Sequence, residues 1–285
     1  MATATYVRHG AIDDVARGGV VFTGGLVIFS EVVGLDAFLS RVDELVRAHL
    51  RTDEPELAQF GLPRDEYLEA VSAAQTAVRS DDAAHRLLAD AFRATGVDTD
   101  DAYWDWLHLR VNPSGREFAA GGTGWHRDTW ASSLPAQTNW WTPIYPITDE
   151  RTLAFAPAYW STPVANSSTE WTPRSAQVIP EPLDTIDPHE QRIVIAPGDL
   201  LCFSGAHLHR TVRNETGRAR FSVEVRTLCG SDVREGRGAT PVDDVAARPQ
   251  YGWFRHVADG RSARELEPGV GVRQGAASPP QHHDA

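Results

Sequence analysis

The hydrophobic period of this chain changes once along its length, and that change limits the folds it can adopt. Between 35 and 50, Leu35, Phe38, Leu39, Val42, Leu45, Val46 and Leu50 recur at helical spacing. Two more helices are predicted at 64–79 and 81–95, the second capped by Asp81-Asp82 and stopped by Gly96. From Tyr103 the period is 2. Over 104–112, Trp106, His108, Arg110 and Asn112 share one face, while Leu107, Leu109 and Val111 take the other. Gln137, Asn139, Trp141 and Tyr145 share one parity in the same way. Further strands are predicted at 152–157, 192–196, 200–203 and 220–228, punctuated by Gly and Pro. Strands with an apolar outer face and a polar, aromatic inner face suit a sheet that is backed by helices and encloses a cavity. The expected class is α+β, mainly β: helices first, then a largely antiparallel barrel or sandwich.

The remaining segments are less patterned. Residues 1–18 are polar and read as a loose arm. Val20, Val21, Phe22, Val27, Ile28 and Phe29, broken by Gly24-Gly25, read as a strand, a turn and a second strand. A single domain is expected over 19–258, with a helical lead-in at 35–95 and the barrel at 103–230. The stretches 158–190 and 231–250 read as long, lid-like loops, and long loops are often functional. Residues 259–285 turn charged, then rich in Gly, Ala, Ser and Pro, and are expected to be disordered.

Composition removes several function classes. The net charge of -12 disfavours a nucleic-acid phosphate backbone as partner. All 27 basic residues are arginine, which excludes lysine Schiff-base chemistry and a lysine-dependent P-loop. Cys202 and Cys229 lie in apolar runs outside any zinc-type spacing and read as two buried, reduced thiols. There is no signal-like apolar region near the start and no long apolar run, so a cytoplasmic, soluble protein without membrane contact is expected.

The chemistry concentrates at Trp125-His126-Arg127-Asp128. On extended backbone a His-x-Asp pair places an imidazole and a carboxylate on one side, where both can reach one metal ion. A third ligand is available in Gly205-Ala206-His207-Leu208-His209. Two imidazoles and one carboxylate on one face of an iron leave open positions, the arrangement of non-haem Fe(II) oxygenases.

With His126 and Asp128, the turn Pro197-Gly198-Asp199 entering Leu200-Leu201-Cys202-Phe203, then His209, Asn214, Arg220 and Ser222, the chain resembles the phytanoyl-CoA hydroxylase-like family of Fe(II)/2-oxoglutarate oxygenases. The resemblance spans roughly 100–230. It implies a double-stranded β-helix, a cupin-like jelly roll, with the N-terminal helices packed on its outer sheet. It implies Fe(II) held by His126, Asp128 and His209. It also implies 2-oxoglutarate as cosubstrate with O2, its far carboxylate gripped by Arg220-x-Ser222 with help from Thr211. A guanidinium fork suits that task because it pairs with a carboxylate through two charge-assisted hydrogen bonds. Asn112 and Gln137 are further expected 2-oxoglutarate contacts. Arg110, Arg127, Trp130, Asn139, Trp141 and Trp171 are expected substrate contacts, with Arg127 pointing away from the metal. His207 and His209 both remain open as the distal ligand. His209 is favoured by Asn214 five residues on, and by Arg220 beginning an alternating strand while Arg218 sits in the Asn-Glu-Thr-Gly turn.

The reaction implied is oxidation of a substrate C–H bond, coupled to conversion of 2-oxoglutarate to succinate and CO2. Its outcome is hydroxylation, or cyclisation, desaturation or epimerisation. Asp128 argues against halogenation, since halogenating relatives lack that carboxylate. The expected setting is small-molecule oxidation in bacterial specialised metabolism by a monomer or homodimer. The family's Glu-Asn-Gly and Pro-Gly-Ser-His segments are missing, and Thr148 to Trp160 stands in that region. The alternative is a cupin-type metal protein without oxygenase activity: an isomerase, a hydrolase or a small-molecule binder. Such a protein needs the same ligands but no Arg220-x-Ser222 clamp.

Overall fold

The computed structural model describes residues 5–8, 10–115, 124–172, 179–187, 189–245 and 248–268. In chain order the strands are β1 (Thr5–Arg8), β2 (Leu26–Phe29), β3 (Ala102–Trp104), β4 (His108–Asn112), β5 (Thr138–Pro143), β6 (Leu153–Phe155), β7 (Gln191–Ile193), β8 (Leu200–Ser204), β9 (His209–Thr211), β10 (Arg220–Cys229) and β11 (Arg255–His256). The helices are α1 (Asp14–Val21), α2 (Leu35–Leu50), α3 (Ala58–Gly61), α4 (Arg64–Ser80), α5 (Asp82–Thr95), α6 (Thr129–Ser132) and α7 (Gly230–Arg234).

Two sheets face each other. The larger runs β1-β2-β8-β5-β10-β3-β11, with β4 also on β10; the smaller runs β7-β6-β9. An isolated antiparallel bridge between His126 and His209 adds a fourth member beside β9. The order β4-β10-β5-β8 against His126-β9-β6-β7 is that of an eight-stranded jelly roll, in which successive members cross between the sheets except at the β6–β7 pair. The ten-residue β10 organises the larger sheet. Its first half pairs with β4, its second with β3, and its other edge with β5.

The apolar parity of β10 faces outward. Phe221, Val223 and Val225 join Trp140, Leu200 and Cys202 under the buried stripe of α2 (Phe38, Leu39, Val42, Val46) and under Val78, Leu88 and Phe92 from α4 and α5. Each such side chain stabilises the fold by roughly 1.5–3 kcal/mol on burial. The inner face of the barrel carries a second apolar group, including Trp141, Leu153, Phe155 and Phe203, and this group sets the separation of the two sheets around the cavity. Gly198 (φ 95°) makes the tight turn into β8, where Asp199 accepts hydrogen bonds from the backbone of Ala196 and Glu31.

The three long helices fall where the periodicity places them. At the start of α5 the Asp81 carboxylate accepts the Ala84 N–H at 2.7 Å and is paired with Arg41 at 2.7 Å. The Arg41 hydrogen bond holds this carboxyl down at about 2. Asp81→Ala is therefore expected to lower stability by about 1 kcal/mol through loss of the cap, read as a shift in the urea midpoint. Because the folded pKa is depressed, the contribution is complete above the ordinary carboxylate range and fades as pH falls towards about 2.

Three expectations are corrected. Where a loose arm is expected, Thr5–Arg8 pairs in parallel with β2 and Asp14–Val21 is helical. The strand expected around Val20-Val21-Phe22 is the end of that helix and its cap. Asp13 caps it by accepting the Ala16 N–H, and Arg17 docks over Trp140 at 5.0 Å, so capping and packing override the β-branched composition. Of the tail, Ala263–Leu266 forms a 3-10 turn that buries Ala263 and Leu266 against Tyr103 and Phe254; residues 269–285 lie outside the described set. Among the described residues no helix is long and apolar enough to cross a membrane. Both cysteines are free.

Candidate metal centre

His126 and His209 sit directly opposite each other across two backbone hydrogen bonds, His126 N–H to His209 O at 2.9 Å and His209 N–H to His126 O at 3.0 Å. This direct cross-strand pairing puts both rings on one side, with centroids 4.2 Å apart. Asp128 is not on extended backbone, as the sequence reading had it. Its φ and ψ are -63° and -28°, and it opens α6. The turn brings its carboxylate round to within 3.8 Å of His209 Nε2. One ligand atom from each of His126, Asp128 and His209 lies within 4.8 Å of the others, and all three residues are buried.

The surroundings fix how these groups present themselves. His126 Nδ1 donates to Gly124 O (2.7 Å) and His209 Nδ1 to His207 O (3.0 Å), which leaves the Nε2 lone pairs for a metal. Burial drops His209 to about 4, so its imidazole is neutral near pH 7. Burial alone would raise the Asp128 carboxyl, but Arg226 and the two imidazoles bring it below the usual range. His207 turns elsewhere: its Nδ1 meets Ser204 O at 3.1 Å and its ring packs 4.6 Å from Trp160.

A cavity of about 180 Å³ opens on this cluster. His126, His209, Arg226 and Glu224 form one part of its wall; Arg220, Thr211 and Trp141 form another; Trp171 and Trp253, edge to face at 6.4 Å, a third. Arg220 is 3 % exposed, and its guanidinium lies 5.6 Å above the Trp141 ring. Its Nε and Nη1 have no hydrogen-bond partner among the described residues, and neither has the Oγ of Ser222 on the same strand face. Burial lowers Arg220 to about 10, which still leaves it charged near neutral pH. A buried, charged and unsatisfied fork is costly unless an anion completes it. The donor set thus fits a divalent metal at the triad and a carboxylate at Arg220.

Arg110 also lines the cavity and pairs with Glu224 at 3.0 Å. The other expected residues fall behind the wall. Asn139 donates to Asp128 Oδ2 and accepts from Gln137 at 2.9 Å, so these two brace the carboxylate. Asn112 is tied to Val212 and Asn214 through backbone carbonyls. Arg127 and Trp130, expected at the substrate, are buried on the far side. Arg127 holds the carbonyls of Ala206, Tyr159 and Thr162, and both side chains reach Asp243. Glu224, Arg226, Asp105 and Trp253 were missed by the sequence reading. The signal for the first two is the parity Arg220, Ser222, Glu224, Arg226, four polar residues on one strand face.

No family model matches the chain, and no curated protein matches it. Solved structures do resemble it. The epimerase SnoN in complex with Fe3+, alpha ketoglutarate and nogalamycin RO is 13% identical, covering 72% of this chain and 79% of that one with a TM-score of 0.44. The non-heme monooxygenase ThoJ is 16% identical over 82% and 88%, TM-score 0.44. EvdO2 from Micromonospora carbonacea var. aurantiaca, complexed with 2-oxoglutarate, is 16% identical over 77% and 92%, TM-score 0.43. These are loose likenesses of fold, and the functional reading rests on the site itself.

Proposed function

We propose that this chain is an Fe(II)- and 2-oxoglutarate-dependent oxygenase of the phytanoyl-CoA hydroxylase-like kind, oxidising a C–H bond of a small molecule in bacterial specialised metabolism. The observation that carries the reading is one cavity with two complementary ends: a buried His126/Asp128/His209 cluster and an Arg220 fork lacking hydrogen-bond partners for Nε and Nη1 among the described residues. His126, Asp128 and His209 would hold the metal. Arg220, with Ser222 and Thr211 beside it, would hold the far carboxylate of 2-oxoglutarate. The bound metal and cosubstrate supply the oxidising power with O2. The chain's own work is to keep the His209 imidazole neutral, to aim both imidazoles through Nδ1, to keep Asp128 ionised beside Arg226, and to orient the cosubstrate through a fixed fork. Trp141, Trp171 and Trp253 line the cavity and would give it apolar walls around a bound substrate.

Anaerobic titration of the metal-free protein with Fe(II) and 2-oxoglutarate tests this. A weak visible metal-to-ligand charge-transfer band is expected, lost in His209→Ala and retained in His207→Ala. Metal-loaded, folded protein without the band would sink the oxygenase reading and leave a cupin-type metal protein. The reverse histidine result would move the ligand to His207.

A further inference from the structure

The Asp128 carboxylate is held at both oxygens. Oδ2, the oxygen near His209, accepts a hydrogen bond from Asn139, while Oδ1 lies 3.5 Å from Arg226 Nη2. Asn139 is itself fixed by Gln137. Arg226 is fixed by its own backbone: its N–H meets Asp105 Oδ1 at 2.8 Å and its carbonyl accepts the Asp105 N–H at 3.0 Å. Its side chain then spans three acids, with Nη1 at 3.7 Å from Asp105 and Nη2 at 3.2 Å from Glu224 and 3.5 Å from Asp128. Asp105 and Glu224 already give charge partners to an arginine serving only to brace the sheet, while its Nε has no hydrogen-bond partner among the described residues. The reach past them to the candidate ligand, on the cavity wall, is unexplained by bracing.

A carboxylate can bind a metal through one oxygen or two, and the second oxygen occupies a position otherwise open to another ligand. We propose that Arg226 is a positioning residue that keeps Asp128 a one-oxygen ligand and so preserves a coordination position for the cosubstrate. The planar guanidinium suits this because it serves several acceptors in fixed directions, which a lysine ammonium does not. The inference rests on the reading that the triad binds a divalent metal and that 2-oxoglutarate chelates it.

The experiment uses the full chain as wild type, Arg226→Met and Arg226→Lys, loaded with Mn(II). Metal-minus-apo difference infrared spectra report the gap between asymmetric and symmetric carboxylate stretches, which narrows when a carboxylate changes from one to two bound oxygens. A wide gap is expected in the wild type and a narrowed one in both variants. The affinity of the Mn(II)-loaded variants for 2-oxoglutarate should fall, while Mn(II) itself still binds, weakened by no more than the roughly 10- to 100-fold typical of losing a residue that orients a metal ligand. Arg226→Lys keeps a charge among Asp105 and Glu224, so it should restore melting temperature relative to Arg226→Met without restoring the gap. Should Arg226→Met fail to fold, Arg226→Lys decides alone. An unchanged gap in a folded, metal-binding variant overturns the proposal, as does recovery of both gap and affinity by lysine. A wild type that binds no Mn(II) overturns the metal reading instead.

Discussion

Asp243→Ala should destabilise the fold by about 3–5 kcal/mol, the cost of leaving a buried charge without its partner. Asp243 and Arg127 have side chains 4% and 1% exposed and lie 3.0 Å apart. The same carboxylate accepts Trp130 Nε1 at 2.7 Å and the Val164 N–H at 2.8 Å. Alanine would strand the guanidinium among three backbone carbonyls and orphan two buried donors as well. Against a typical total of roughly 5–15 kcal/mol, this is a large fraction. Denaturant unfolding checks it, with Asp243→Asn expected to lose less because an amide oxygen still accepts from Trp130 or Val164. The double variant Arg127→Met/Asp243→Leu should recover much of the loss, since the cost lies in the unpaired charge and not in the absence of an ion pair. A double variant as unstable as Asp243→Ala would show that shape at this junction matters more than charge. The effect should also reach the candidate metal site: Arg127 stands between His126 and Asp128, and its partners tie 159–164, Ala206 and Asp243 together behind them.

What the sequence disclosed follows from the range of the physics involved. The helices at 35–50, 64–80 and 82–95 are local, amphipathic patterns with a local cap at Asp81 and a stop at Gly96, where the left-handed φ of 91° calls for glycine. The parity of β10 separates outward Phe221, Val223 and Val225 from inward Arg220 and Ser222, so the sheet's two environments were legible too. The same parity, followed two steps further, reaches Glu224 and Arg226, and the motif's end at Ser222 concealed them. Three features depended on distant partners. Nothing near Arg127 announces Asp243, so its side chain read as a substrate contact. Nothing near Val20 announces that Arg17 will stack on Trp140, so a helix read as a strand. The helical turn at Asp128 is set by docking of α6, where the Thr129 N–H meets Gly205 O at 3.2 Å.

Arg220→Met should produce two effects of opposite sign. Binding of 2-oxoglutarate to the metal-loaded protein should weaken by about 2–4 kcal/mol, roughly 30- to 1000-fold, the cost of removing a buried charged partner. Fe(II) binding, for which His126, Asp128 and His209 are the proposed ligands, should stay close to wild type. The unliganded protein, by contrast, should become no less stable, and is expected to gain. Its guanidinium is buried with Nε and Nη1 unpartnered among the described residues, and burial already depresses it to about 10, the mark of a cation in an environment that does not reward its charge. Methionine fills similar space over Trp141 without that penalty, though it gives up the cation–π contact seen at 5.6 Å. Melting curves with and without ligand separate the two effects. Wild type with Fe(II) should rise on adding 2-oxoglutarate, by about 2.7 kcal/mol at a hundred times Kd. Arg220→Met should start at or above the wild-type temperature and barely move. A large fall in the unliganded variant would mark Arg220 as a structural residue of the barrel. Preserved ligand-induced stabilisation would place the carboxylate elsewhere, with Arg110, another arginine of the cavity wall, as the first residue to replace.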